Sequence, residues 1–535
     1  MTPAERVLAH FDRMSEAPDA IPGIRQFILD LAVSGRIVNQ RIDEAQATCL
    51  LADIQAARGS HRRNAVAEAS WRIPPSWMWV PLGVLLDSRD GERIPVSKEE
   101  RSGRAKLHDY YGASGVIDKI DGYLFDKPLL LIGEDGANLV NRSTPIAFIA
   151  RGKYWVNNHA HVLDGFSEEL LSYVALYINA IDLKPYVTGT AQPKMNQSRM
   201  SQIPVALPPA LEQRRILAKV GELMALCDQL EAAQQEREQR RDRVVMASLA
   251  RLNQPTDASS FREYAEFHLD HLPRIVTTRA HLQQLRAAIR NLAVSGQLTP
   301  EHLHSVPAPE ARVPDSLSAH AAWPIIALAD LLSEDTRNGY SRRPDDALDG
   351  VPLLRISAAT VRRDGTVAEE EHKLISGITP DARSAYGLRA GDLLACRFNG
   401  NKGSVGKLAL FKDCLGLNPI YPDKLIRVRL NAAIAIPDFI QLASESDFVR
   451  RQVEAVCATT VGNWGISASN LKRIAFPTPS LPEQRYIVAM VNELMALCDQ
   501  LEAQIDTAST ERQRLLESLL HRALHTDSCL APSPA

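Results

Sequence analysis

Hydrophobic positions in the first 70 residues recur at helical spacing, through Ile24, Phe27, Ile28 and Leu31, and stop at Ser34-Gly35, where the glycine suits a helix C-cap. Near residue 73 the pattern changes. Ile73-Pro-Pro-Ser-Trp77 is helix-breaking, and the apolar run Trp79 to Leu86 follows it. From 74 to 205 short apolar runs such as Leu129–Ile132 and Ile146–Ile149 alternate with Gly, Asp and Asn turns, which predicts short strands in a mixed α/β domain. The periodicity then reverts. Ile216, Val220, Leu223, Cys227 and Leu230 are spaced 4-3-4-3, the heptad seam of a helix that packs on another helix. Ile487, Val491, Leu494, Cys498 and Leu501 repeat the seam, and Ile505, Ala508, Leu515 and Leu519 continue it. Each helix could run about 40 residues, roughly 60 Å at the helical rise.

The two seams lie within a duplication. Glu222 to Ala232 returns unchanged as Glu493 to Ala503, an offset of 271 residues, and Leu31-Ala-Val-Ser-Gly35 returns as Leu292–Gly296 at an offset of 261. A period this long makes each repeat a domain plus a connector, not a solenoid unit. Trp77–Leu86 and Trp323–Leu332 align at the domain starts, and beyond them the loops diverge. The resulting layout is an N-terminal helical region (1–73), a first α/β domain (74–205), a central helical region (206–253), a helical linker (254–320) ending in Val306–Pro309 and Val313-Pro314, a second α/β domain (321–478), a C-terminal helical region (479–523) and a tail (524–535). One departure stands out: the polar stretch Gln234 to Arg243 interrupts the first seam, and this leaves open whether the helices pack along their full length.

Composition narrows the function classes. With 45% hydrophobic and 23% charged residues in 535, the chain has the balance of a globular protein, and a net charge of −3 confines any nucleic-acid surface to a local patch. Seven cysteines without a Cys-x-x-Cys pair suggest neither zinc nor a disulfide framework, so a reducing cytoplasm is expected. The charged first 30 residues lack a signal peptide's apolar core, and no apolar run is long enough to span a membrane.

Several apparent catalytic motifs fail on inspection. Gly400–Leu408 is not a phosphate-binding loop, since Leu408 cannot ligate Mg²⁺. Asn418-Pro-Ile-Tyr421 lacks the second proline of an amino-methyltransferase box, and no Gly-rich nucleotide turn precedes it. His159 and His161 share one strand face without a third ligand, so one reads as a polar contact and the other as a packed histidine. Glu134-Asp135, flanked by glycines, reads as a turn. No catalytic or metal residue is assigned.

Binding chemistry is better represented. Base edges are read by Arg, Lys, Asn and Gln, and phosphates by cations, hydroxyls and amides. The first domain offers Tyr110, Tyr111, Ser114, Asn138, Asn158, Lys194 and Asn196 on Gly-rich loops; the second offers Arg355, Arg397, Asn399, Asn401, Lys402, Asn463 and Trp464. A shared frame with divergent loops suits a protein that reads two different targets.

Here the chain resembles the specificity subunits of type I restriction-modification systems. The features that carry the resemblance are the helices opening at Leu211-Glu-Gln-Arg214 and Leu481-Pro-Glu-Gln-Arg485, the Leu-Ala-Val-Ser-Gly repeat, the Trp-led domain starts, and the loops Leu131–Gly136 and Thr190–Asn196. The resemblance implies two target recognition domains separated by two long antiparallel, coiled-coil-like helices with pseudo-two-fold symmetry. It further implies a subunit without catalysis that binds a bipartite, asymmetric double-stranded DNA site and docks two methyltransferase and two restriction subunits through its helix seam. S-adenosylmethionine, ATP and Mg²⁺ would belong to those partners, which modify adenine and cleave DNA. The alternatives are a methyltransferase fused to its recognition domain, a coiled-coil scaffold that binds only proteins, and the recognition subunit of a related phage-defence system.

Overall fold

The computed structural model describes residues 17, 20–41, 43–58, 71–189, 192–255, 257–299, 323–345, 349–460 and 462–525. The proline-rich 306–314 segment, Thr190 and Ala191 of the polar turn, and the tail beyond His525 lie outside the described residues. The fold is mixed α/β. Its longer helices are α1 (Ala20–Val33), α2 (Ala47–Arg58), α3 (Glu168–Ala180), α4 (Ala210–Asn253), α5 (Ala258–Ile275), α6 (Arg279–Ser295), α7 (Pro437–Ser444), α8 (Asp447–Val456) and α9 (Leu481–His525). The expected long helices are thus α4 and α9, of 44 and 45 residues. Helix α4 runs unbroken through the polar Gln234–Arg243 stretch.

The chain divides into two compact units, residues 1–236 with 508–535, and residues 237–507. Both cuts fall inside a long helix, after Glu236 and after Thr507, and these positions are related by the same offset of 271. Each unit therefore holds the front of one long helix and the back of the other.

In the first unit the strands are β1 (Met78–Pro81), β2 (Asp87–Ser88), β3 (His108–Gly112), β4 (Gly115–Ile120), β5 (Phe125–Asp126), β6 (Leu129–Gly133), β7 (Ala147–Ala150), β8 (Lys153–Val156), β9 (Ala160–Asp164) and β10 (Pro204–Leu207). In the second they are β11 (Ile325–Ala327), β12 (Leu332–Asn338), β13 (Val351–Leu354), β14 (His372–Ile375), β15 (Leu393–Cys396), β16 (Phe398–Asn399), β17 (Leu408–Leu410), β18 (Leu425–Leu430), β19 (Ala458–Thr460), β20 (Asn463–Gly465) and β21 (Ala475–Pro477). The duplication is visible in their pairing. The ends of each strand-rich region meet in an antiparallel ribbon, β1 with β10 and β11 with β21. Each unit then has a four-stranded antiparallel sheet of matching order, β2-β9-β6-β7 and β12-β18-β15-β17.

Strands β6 and β15 are apolar throughout because they are covered on both faces. Alternate side chains point to opposite sides. Leu130 and Ile132 of β6 join the core that holds Tyr173, Val174 and Tyr177 of α3, while Leu129 and Leu131 pack with Tyr154 and Val156 of a second sheet. In β15, Leu393 and Ala395 face Phe439 and Ile440 of α7, and Leu394 faces Leu354, Phe411 and Tyr421. The additional sheets differ. The first unit has β4-β3-β8-β5, with β3 and β8 parallel; the second has a β13-β14 ribbon and a β16-β20-β19 sheet.

The helical layers match residue by residue. Arg25 of α1 binds Asp228 and Glu231 at 2.6 and 2.9 Å, and Arg286 of α6 binds Asp499 and Glu502 at 2.6 and 2.8 Å. Asp228 and Glu231 belong to the repeated eleven residues, so identity there preserves an ion-pair clamp. The back halves also correspond. Leu516 is buried with Ala17 and Ala20, with Leu519 and Leu520 against them, while Val245 and Leu249 are buried with Leu282. Of the seam, Ile216, Val220, Cys227, Ile487, Val491 and Cys498 are buried, Leu223, Leu494 and Leu501 are half-buried, and Leu230 is exposed. Burial pushes both seam thiols, Cys227 and Cys498, above the ordinary range, as befits packing groups.

Candidate nucleic-acid interface

Strand β6 ends at Gly133, where a side chain would collide with Ile146 and with the carbonyl of Ala113, so the following loop begins in a place only glycine fits. The loop after β6, the turn before β9 and the segment Pro193–Met195 meet there. Glu134 N donates to His159 O at 2.8 Å, Met195 N donates to Glu134 O at 2.8 Å, and Gly136 N donates to Pro193 O at 3.0 Å. The Glu134 carboxylate takes Arg93 at 2.7 Å and Lys194 at 3.1 Å, and Asp135 takes His159 at 2.7 Å.

His161 lies beneath, 1% exposed, with Nδ1 at 2.6 Å from Asp90 and Nε2 at 2.8 Å from Met195 O. The two histidines therefore divide as the sequence suggests, one a surface contact and one packed. Among the described residues no group of three or more His, Cys, Asp or Glu could hold a metal ion.

Burial alone would raise the carboxyls of this cluster. For Glu134 the bond from Arg93, the His161 charge and Lys194 outweigh burial, and for Asp90 the His161 contact does, so both lie below the usual carboxylate range. A depressed folded-state pKa contributes stability in full above the unfolded value, about 4, and loses it as pH falls through the folded value. Thermal melts from neutral pH downward are expected to hold near-constant stability until about pH 4 and decline below it. The decline should be shallower in a Glu134→Gln variant; identical profiles would contradict this account.

The second unit repeats the frame with other side chains. After β15, Arg397 N donates to Lys424 O at 2.9 Å and Ile466 N donates to Arg397 O at 3.0 Å. Arg397 thus occupies the position of Glu134, Phe398 that of Asp135, Lys424 that of His159, and Ile466 that of Met195. The guanidinium of Arg397 lies 4.9 Å from the Phe398 ring and Lys424 lies 5.0 Å from the same ring, while Lys402 sits 4.8 Å from Trp464. Arg397 donates to Asp423 O at 3.2 Å, and its Nε is buried with no hydrogen-bond partner.

The remaining candidates are distributed as follows. Tyr110 is buried, its hydroxyl bonded to the Val96 backbone, and Tyr111 is half-buried against Phe148 and Tyr154. Ser114 is exposed in the β3–β4 turn and Asn158 is exposed beside His159. Asn138 holds its own turn through Thr144 and Ser143, and Asn196 caps the short helix Gln197–Ser201. Arg355 stands in the loop after β13, 3.8 Å from Glu371. Asn399 and Asn401 each accept a backbone amide two residues on, at 2.8 and 2.9 Å, and Asn463 is exposed in β20. So Lys194, Asn158 and Asn196 share one loop cluster, and Arg397, Asn399, Asn401, Lys402, Asn463 and Trp464 share the other. Sequence reading missed Arg93, Phe398 and Lys424, because a lone cation or ring in a turn resembles any solvated residue. Phe398 stands at the start of β16 and Lys424 just before that of β18, and Arg93 carries no such signal.

Comparisons with known proteins give a consistent result. A family model described as type I restriction modification DNA specificity domain matches residues 74–238. The chain is 30% identical over 259 residues to the type I restriction enzyme EcoKI specificity subunit of Escherichia coli strain K12, covering 47% of this chain and 52% of that relative, about half its length. It is 23% identical over 569 residues to the EcoEI specificity subunit of Escherichia coli, covering 94% of each. The solved HsdS subunit of Thermoanaerobacter tengcongensis matches over 86% of this chain and 99% of its own, at 16% identity and a TM-score of 0.40.

Proposed function

We infer that this chain belongs with the type I restriction-modification specificity subunits it is similar to, and that it reads a bipartite, asymmetric DNA site with one recognition domain per half-site. The recognition domains are residues 74–205 and 321–478, and the loops after β6 and β15 carry the readers. The observation that supports this most is the pair of backbone frames, Glu134 with His159 and Met195, Arg397 with Lys424 and Ile466, which hold opposite chemistry in the same geometry. Equivalent frames meet DNA in equivalent orientation, and different side chains read different bases.

Catalysis belongs to partners. Methyltransferase and restriction subunits would supply S-adenosylmethionine, ATP and Mg²⁺ chemistry and dock on the long helices. The buried seam residues serve folding, so the outward, identical Leu226 and Leu497, 47% and 54% exposed, are the better docking contacts.

Mapping methylated adenines in a host with and without the gene tests the function: a split motif that disappears with the gene is expected, and an unchanged methylome overturns it. Removing two helical turns from both α4 and α9, roughly 10 Å each, is expected to shorten the unread spacer by about three base pairs. An unchanged spacer would leave recognition standing but reject the helices as its ruler.

A further inference from the structure

The two reader loops differ in charge more than two surfaces of one fold need to. Glu134 and Asp135 carry two formal negative charges, while their counterparts Arg397 and Phe398 carry one positive charge. Around Glu134 the cations have a carboxylate, since Arg93 and Lys194 both pair with Glu134 itself, and the imidazoles of His159 and His161 contact Asp135 and Asp90. Around Arg397 the cations rest on rings. Arg397 and Lys424 flank Phe398, and Lys402 covers Trp464. A ring holds a cation in place without cancelling its charge, whereas a carboxylate in contact cancels it. The buried, unpartnered Nε of Arg397 further marks a donor left without a protein acceptor.

We propose that the two reader loops divide the task of binding DNA: the loop after β15 is the electrostatic anchor, neutralising phosphates with Lys402, Lys424 and Arg397, while the loop after β6 contributes hydrogen-bond discrimination with little net charge. The division rests on the DNA-reading function inferred above. Glu134 is then a positioning residue that holds Lys194 away from phosphate oxygens, beside an Arg93 that Asp90 and the Ala160 carbonyl also fix. Each phosphate neutralised by a cation adds about 0.9 to the slope of log affinity against log salt, so the two loops are separable by salt titration.

The test uses the full-length chain and a pool of random-sequence DNA duplexes. A Lys402→Ala/Lys424→Ala double variant is expected to flatten the salt slope by roughly 1.8. Glu134→Gln, which frees Lys194 while Arg93 keeps Asp90 at 3.6 Å and the Ala160 carbonyl at 2.8 Å, is expected to steepen it and to tighten binding to the pool at low salt. A double variant whose slope matches the parent overturns the proposal; so does a folded Glu134→Gln protein with an unchanged slope. Should Glu134→Gln fail to fold by circular dichroism, the double variant alone decides. Selection of bound sequences from the same pool separates the two levels of inference. A parent chain that selects a split motif while its variants leave the slope unmoved sinks only the division of labour, and a parent that selects no motif sinks the DNA-reading function itself.

Discussion

Ending the chain after Thr507 is expected to destabilise the first unit, although the residues removed are the farthest from it in sequence. The deletion takes Leu516, which is buried with Ala17 and Ala20, together with Leu519 and Leu520. It also takes the carbonyls of Ala523 and Leu524, to which Arg36 donates. Burying a leucine is worth about 1.5–3 kcal/mol, so the loss approaches roughly 5 kcal/mol, the scale of a domain's whole stability. Hydrogen exchange resolved by peptide checks it. Protection should collapse in α1 and α2 and persist across β11 to β21, since residues 237–507 keep their own helical layer from α6 and the back of α4. Equal loss in both units would mean that the unit division does not describe cooperativity.

Replacing His161 by alanine is expected to have the next largest effect. The imidazole answers two acceptors, the Asp90 carboxylate at 2.6 Å and the Met195 carbonyl at 2.8 Å, from a buried position. Removing it takes the nearest side-chain partner from a part-buried carboxylate that keeps the Val162 amide at 2.8 Å and Arg93 at 3.6 Å, so the cost falls below the about 3–5 kcal/mol of a buried pair broken outright. Met195 also carries the amide that fixes Glu134, so the first reader loop should loosen. Selection from random duplexes is expected to lose preference at the first half-site and keep it at the second. Loss of both preferences together, with melting unchanged, would contradict the separate construction of the two loops.

The sequence made the repeat legible because both copies of the seam bury the same face: Cys227 and Cys498 are interior, and Ile216 and Ile487 are fully covered. The strand-rich domains were legible from runs such as Leu129–Ile132. What periodicity could not give was the fate of the back halves. The polar Gln234–Arg243 stretch read as an interruption, and it is where α4 passes from one unit to the other. The correspondence of Glu134 with Arg397 was hidden for a different reason. The intervening elements differ, a mixed four-stranded sheet in one unit and the β13–β14 ribbon in the other, so aligned positions drift, and only backbone hydrogen bonds identify the pair. Arg93 was invisible because its carboxylate partner stands 41 positions away.

A polypeptide emerges from the ribosome in one direction, and the discontinuous first unit cannot be finished in that order. Its own residues to Glu236 are made early, but the segment that covers Ala20 begins at Ala508. At about 5–20 residues per second, making the 271 residues between takes roughly 15–50 s. For that interval the outer face of α1 stays bare, while the continuous second unit has everything it needs before synthesis ends. Birth order and completion order are therefore inverted: the half that leaves the ribosome first is the last to close.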